Sequence, residues 1–200
     1  MMIKILSKTV LLIIVITFFA CNKNKVVDPF IKDNSIKDNP TVVWLRNHDN
    51  YRNNKSYFNV FYKYYNTQIA QNKYIEAAYI LDLVSTKLAF YYDFNKPFLT
   101  TVQEFDLKYR SKVPVLKTTF VDAYLSNYFY DLGNFKKSAD YQKKIAFLEP
   151  TDYYSSSKIG RANYELSYIY YGMGEQNLSL QANHRAEKVY SKINFFNQWF

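Results

Sequence analysis

The chain is 200 residues long, enough for one domain with a core of its own. Hydrophobic residues make up 48% of it, which excludes a disordered composition; only 4 glycines and 5 prolines are present, which excludes the turn-rich all-β sandwiches and barrels. The formal net charge of +9 favours acidic partners, anionic head groups or nucleic acid over basic ones. Aromatic residues are abundant, with 21 tyrosines and 16 phenylalanines.

The first twenty residues read as an export signal. Lys4 and Lys8 give a positive start, and Thr9 to Ala20 form an uncharged, almost wholly apolar run. That run is too short for a membrane span of roughly 20 apolar residues and suits a signal-peptide core. The sole cysteine, Cys21, follows directly. The junction Phe18-Phe19-Ala20-Cys21 resembles the lipobox of bacterial lipoproteins, which implies a diacylglycerol on the Cys21 thiol and cleavage before it. No second cysteine exists for an internal disulfide. Removal of Lys4 and Lys8 with the leader leaves 24 basic and 17 acidic residues, a charge of +7. Export argues against nucleic acid as the partner. Residues 21–40 are polar and carry Asp28-Pro29 and Asn39-Pro40; they predict a flexible tether. Two or three acyl chains on such a cysteine anchor stably where one does not.

From Thr41 onward apolar residues recur at intervals of three and four, the spacing of amphipathic helices. Phe61, Tyr64, Tyr65, Gln68 and Ile69 share one face, as do Val121, Leu125, Phe129 and Leu132. The pattern predicts helices near 41–52, 56–71, 74–93, 98–111, 115–132, 135–148, 155–173 and 175–193. Pro97, Pro114, Gly133-Asn134, Pro150 and Gly172 with Gly174 separate them.

One stretch is more specific. Leu125-Ser126, Phe129, Leu132-Gly133-Asn134-Phe135, Ser138-Ala139 and Glu149-Pro150 resemble a tetratricopeptide (TPR) repeat. The physical need behind that pattern is close approach: helices packed about 8–10 Å apart require small side chains at the crossing, here Ser126 and Ser138. The pattern recurs 41 residues later, with Leu166-Ser167, Tyr170, Gly174, Ser179 and Ala186 standing where Leu125-Ser126, Phe129, Gly133, Ser138 and Ile145 do. A weaker copy lies upstream in Tyr64-Tyr65, Gln68, Asn72-Lys73-Tyr74, Ala77 and Val84. The chain departs from the family in its spacing, 41 and 61 against 34. It departs also in Asp122 and Asn163, which replace an aromatic, and in Gln176 at the turn. The resemblance covers about 56–193 and leaves out 94–114. It implies an all-α fold of antiparallel helix pairs stacked as a short TPR-like superhelix over 41–200. A plain antiparallel bundle is the alternative.

No Gly-rich phosphate loop, Gly-x-Ser-x-Gly motif or metal-spaced histidine pair is present. His48 and His184 lie far apart, and nothing in the sequence pairs Asp49 or Asp82 with a catalytic partner. The sequence therefore predicts no enzyme, no catalytic residue, no cofactor and no metal. Arg161, Tyr164, Tyr168 and Tyr171 fall on one helical face, and in the TPR family that face of each first helix lines a concave groove. The matching positions in the other copies are Ala123, Asn127 and Tyr130, and Asn59, Tyr62 and Asn66. Tyrosine offers a flat apolar ring and a hydroxyl at little entropic cost, so such a groove suits an extended peptide or a glycan. The alternative is that several of these tyrosines pack the core.

Taken together, the lipoprotein start, the Tyr-, Asn-, Lys- and Ile-rich composition and the drifted repeats resemble the exported helical-repeat regions of Bacteroidota signalling regulators. That resemblance implies a lipid-anchored protein of the bacterial cell envelope, on the inner or outer membrane and facing the periplasm or cell surface. It would act as a protein-binding or scaffolding module, touching the membrane through its lipid; a glycan- or peptidoglycan-fragment-binding protein is the alternative. No membrane span or output domain follows, and Phe195-Phe196-Asn197-Gln198-Trp199-Phe200 is apolar where a repeat array carries a polar cap. A shortened chain and a tail docked on its own array both remain open.

Overall fold

The computed structural model describes residues 34–48, 55–89, 96–151 and 153–197. The leader, Cys21 and Asp49 lie outside them. Every regular element among the described residues is helical. In chain order these are α1 (Asn34–Lys37), α2 (Pro40–Asn47), α3 (Lys55–Ala70), α4 (Tyr74–Ala89), α5 (Lys96–Lys108), α6 (Thr119–Asp131), α7 (Phe135–Ala146), α8 (Tyr153–Gly172) and α9 (Gln176–Asn197). Two short 3-10 turns, Arg110–Lys112 and Val115–Lys117, join α5 to α6. No described helix is long and apolar enough to cross a membrane.

Three helix pairs share one turn. Asn72, Gly133 and Gly174 have φ of 57°, 71° and 75°, the left-handed region that ends helices. After α3 the Lys73 N–H donates to the Gln68 carbonyl at 2.9 Å. After α6 the Asn134 N–H donates to Phe129 at 2.8 Å, and after α8 the Glu175 N–H donates to Tyr170 at 2.9 Å. Each bond reaches back across the left-handed residue and satisfies a carbonyl that the helix end would otherwise strand. The chain reverses at each turn, so α3–α4, α6–α7 and α8–α9 are antiparallel pairs, and α7 packs on α8 to stack the last two.

Two features differ from the sequence expectation. Packing starts before Thr41: Asn34–Lys37 form a turn of helix and Ile36 is buried, inside the segment expected to be tether. Asn39 then caps α2, its Oδ1 accepting from the Thr41 N–H at 3.0 Å, with Pro40 at the first helical position, where its missing N–H costs nothing. The helix expected over 115–132 begins only at Thr119. Val115–Lys117 instead form a 3-10 turn whose end is held by the Thr118 hydroxyl, which donates to the Val115 carbonyl at 2.9 Å.

The core changes character along the chain. Around α2–α6 it is aromatic: Tyr57, Phe61, Phe98 and Phe105 are fully buried. Ring contacts run from Phe61 to Phe98 at 5.4 Å and on to Tyr124 at 5.3 Å, joining α3, α5 and α6. Around α7–α9 it is built from Ala139, Ala146, Ala162 and Ala182 with Leu166, Ile145 and Ile169. Small side chains let these helices approach closely. At the α6–α7 crossing the Ser126 hydroxyl lies 3.0 Å from that of Ser138 and 3.1 Å from its carbonyl oxygen.

Of the three polar departures from the repeat pattern, Gln176 is exposed, and Asp122 and Asn163 are buried and bonded. Arg110 donates through Nη1 and Nη2 to the two oxygens of Asp122 at 2.7 and 2.5 Å, and through Nη1 to Asp106 at 2.9 Å. Burial pushes the Asp122 carboxyl up, against the pull of Arg110 and then Lys144. Burial also opposes the Arg110 charge, but Asp122 and Asp106 outweigh it and raise that group. Asn163 donates to the Ala146 and Ile159 carbonyls at 3.0 and 2.9 Å, and its Oδ1 accepts from Arg185 Nε at 3.1 Å. A buried polar group this well matched avoids the penalty of lost hydration.

Candidate functional site

A cleft of about 670 Å³ opens along α6 and α8. From α6 it takes Thr119, Ala123, Asn127, Tyr130 and Asp131; from α8, Lys158, Arg161, Glu165, Tyr168 and Ile169. One wall is Asp82, Ser85 and Thr86 of α4, and Ser138, Gln142 and Ile145 of α7 form part of the lining. The lining comes from both helices because α6 and α8 face each other across the cleft: Lys158 Nζ, in the second turn of α8, donates to Thr119 Oγ1 at the start of α6 at 3.1 Å. The same offset of 39 residues sets Tyr168 level with Phe129 and Tyr130.

Glu165 is the hub of the central part. Its Oε1 accepts from Arg161 Nε at 2.8 Å and its Oε2 from Gln142 Nε2 at 2.7 Å. Gln142 Nε2 also donates to the Ala162 carbonyl at 3.3 Å. Two acceptors facing one nitrogen set the orientation of this amide. Its Oε1 is buried with no hydrogen-bond partner. The α6 end of the cleft carries Asp131, whose carboxyl is pushed up by burial.

The positions read from the sequence divide three ways. Ala123, Asn127, Tyr130, Arg161 and Tyr168 converge on the cleft, with Tyr130 and Tyr168 41% and 68% exposed. Tyr164 and Tyr171 do not line it. Tyr164 turns towards α9 and stacks on Tyr190 at 5.6 Å, and Tyr171 stands 70% exposed. A helix face that spans ten residues is wider than the cleft, so the stripe splits between them. Asn59, Tyr62 and Asn66 of α3 are outside the cleft as well. The asparagines are exposed and Tyr62 is half-buried against Phe58 and Phe61. Burial pushes the Tyr62 hydroxyl up, with Thr101 of α5 beside it pulling the other way; α5, the segment outside the repeat pattern, occupies this side of α3.

Repeat matching pointed only to first helices of each pair and so missed Asp82 and Gln142, which second helices supply. Gly160 was missed too. A Cβ there would sit 2.8 Å from the Tyr190 ring, and a lone glycine inside a helical pattern is the available signal for such an approach. Both histidines are used locally: His48 stacks on Trp44 at 3.9 Å, and His184 Nδ1 lies 3.2 Å from Glu187. Among the described residues no three His, Cys, Asp or Glu side chains gather where an ion could sit.

Compared with protein-family models, with curated proteins and with solved structures, the chain matches none.

Proposed function

We propose that this chain is an exported, lipid-anchored helical-repeat protein of TPR type that holds an extended segment of a partner protein in the α6–α8 cleft, and that it is not an enzyme. The observation that carries the reading is the cleft itself. It is open along two parallel helices, presents two exposed tyrosine rings, and has Asn127 and Arg161 as polar contacts. Flat rings with a polar tip are frequent anchors of partner recognition. The repeated left-handed turns and the serine crossing support the TPR-type register. The lipobox-like Phe18-Phe19-Ala20-Cys21 supports attachment at the envelope membrane. The glycan alternative is less well supported, because only two of the tyrosines read from the sequence stand in the cleft.

Two measurements test this. A photo-crosslinking amino acid at Asn127, in the intact envelope, is expected to trap a discrete protein adduct that the same probe at exposed Lys188 on α9 does not. Absence of a protein adduct at 127, or identical adducts from both positions, would overturn the cleft reading. Cys21→Ser is expected to release the protein from the membrane fraction, and retention there in the absence of acyl label on the wild type would overturn the anchor.

A further inference from the structure

Apart from Asp82 on the α4 wall and the Arg161–Glu165 pair, the charged lining of the cleft is Lys158 level with the start of α6 and Asp131 at its end. Thr119 to Asp131 is about 18 Å of helix at 1.5 Å per residue, the reach of about five residues of extended chain. At one end stand Lys158 and Arg161, level with the start of α6. At the other stand Asp131, Tyr130 and Tyr168, where both helices finish. Parallel helices add their dipoles, so that far end also faces two negative C-termini. Arg161 is neutralised by Glu165, whereas no cation among the described residues pairs with Asp131, in a chain whose net charge is +9. A carboxylate beside exposed aromatic rings is the surrounding that attracts a cationic side chain, through charge and through the ring faces together.

We infer that the Asp131–Tyr130–Tyr168 end of the cleft is a subsite for a lysine or arginine side chain of an extended peptide. The inference rests on the peptide-binding reading above and adds direction to it: the basic residue lies at the α6 C-terminal end, and the chain runs from there towards Lys158. The Asp131 carboxyl is exposed yet raised by partial desolvation, which a docked cation offsets. Binding through it is lost as pH falls and that carboxyl takes up a proton.

The test is selection of linear heptapeptides from a random display library on the full mature protein. Selected peptides are expected to carry Lys or Arg at a fixed position, to lose about tenfold in affinity on Asp131→Asn, and to recover on Asp131→Glu. Asp131 is exposed at a helix end, and circular dichroism of the variants checks that the fold persists. If peptides are selected that need Tyr168, shown by loss on Tyr168→Ala, but carry no basic residue or ignore Asp131→Asn, the cationic subsite is wrong and the peptide cleft stands. If no selected peptide depends on Tyr168 or Asn127, the cleft reading fails and the subsite with it.

Discussion

The two halves of this domain solve the same packing problem with different side chains. In α2–α6 the helices are held by rings, Phe61 to Phe98 to Tyr124. In α7–α9 they are held by alanines at the contacts and by buried side chains bonded to backbone carbonyls, as Gln142 and Asn163 are. Rings fill wide and irregular spaces by bulk, and so tolerate the inserted α5. Small residues demand a repeated geometry, and so keep the 41-residue register of Gly133 and Gly174. The cleft opens where the two halves meet, its wall from α4 and its other lining from α6, α7 and α8.

The comparison can be broken most severely in the aromatic half. Phe61→Ala removes a fully buried ring and is expected to cost about 4 kcal/mol in chemical denaturation, within the range for large aromatic truncations. A loss near 1 kcal/mol would show that the rings are not the support of that half. Next is the junction. Asp122→Ala strips Arg110 of its two-pronged partner and should cost about 3 kcal/mol, the low end for a broken buried pair, because Arg110 keeps Asp106. A neutral result would mean that burial of Asp122 cancels the pairing altogether. The smallest effect sharpens the repeat register. Gly133→Val and Gly174→Val should each cost about 1–2 kcal/mol, from backbone strain alone, since no atom lies within 4 Å of the added Cβ at either position. Asn72→Gly should be close to neutral, since both residues accept a left-handed turn. Unequal melting shifts at 133 and 174 would contradict the equivalence of the two turns.

The helical architecture was legible because it rests on local chemistry. Apolar residues at intervals of three and four, with Gly133 and Gly174 at two of the reversals, place α3, α7, α8 and α9 near their observed bounds and fix the end of α6. What was illegible depends on neighbours distant in sequence. Nothing around Ile36 announces a partner, and Val115–Lys117 read as helix until the Thr118 hydroxyl holds its carbonyl. The lining of the cleft was half legible for the same reason. Asn127, Tyr130, Arg161 and Tyr168 follow from the repeat pattern. Tyr164 has the same spacing but a different neighbour in Tyr190, and Gln142 joins the cleft through Glu165, 23 positions along the chain.

Asn163 joins three helices with one amide: α7 through the Ala146 carbonyl, its own α8 through Ile159, and α9 through Arg185. Stacked repeats ordinarily interact only with their nearest neighbours and peel apart unit by unit. A side chain that bridges from α7 across α8 to α9 couples them through one amide: when α9 leaves, Oδ1 loses Arg185, and the same amide that fastens α7 through Nδ2 loses the partner that fixes its orientation. Under mechanical load, or in slow proteolysis, these three helices should therefore give way together, as a single block rather than a zipper.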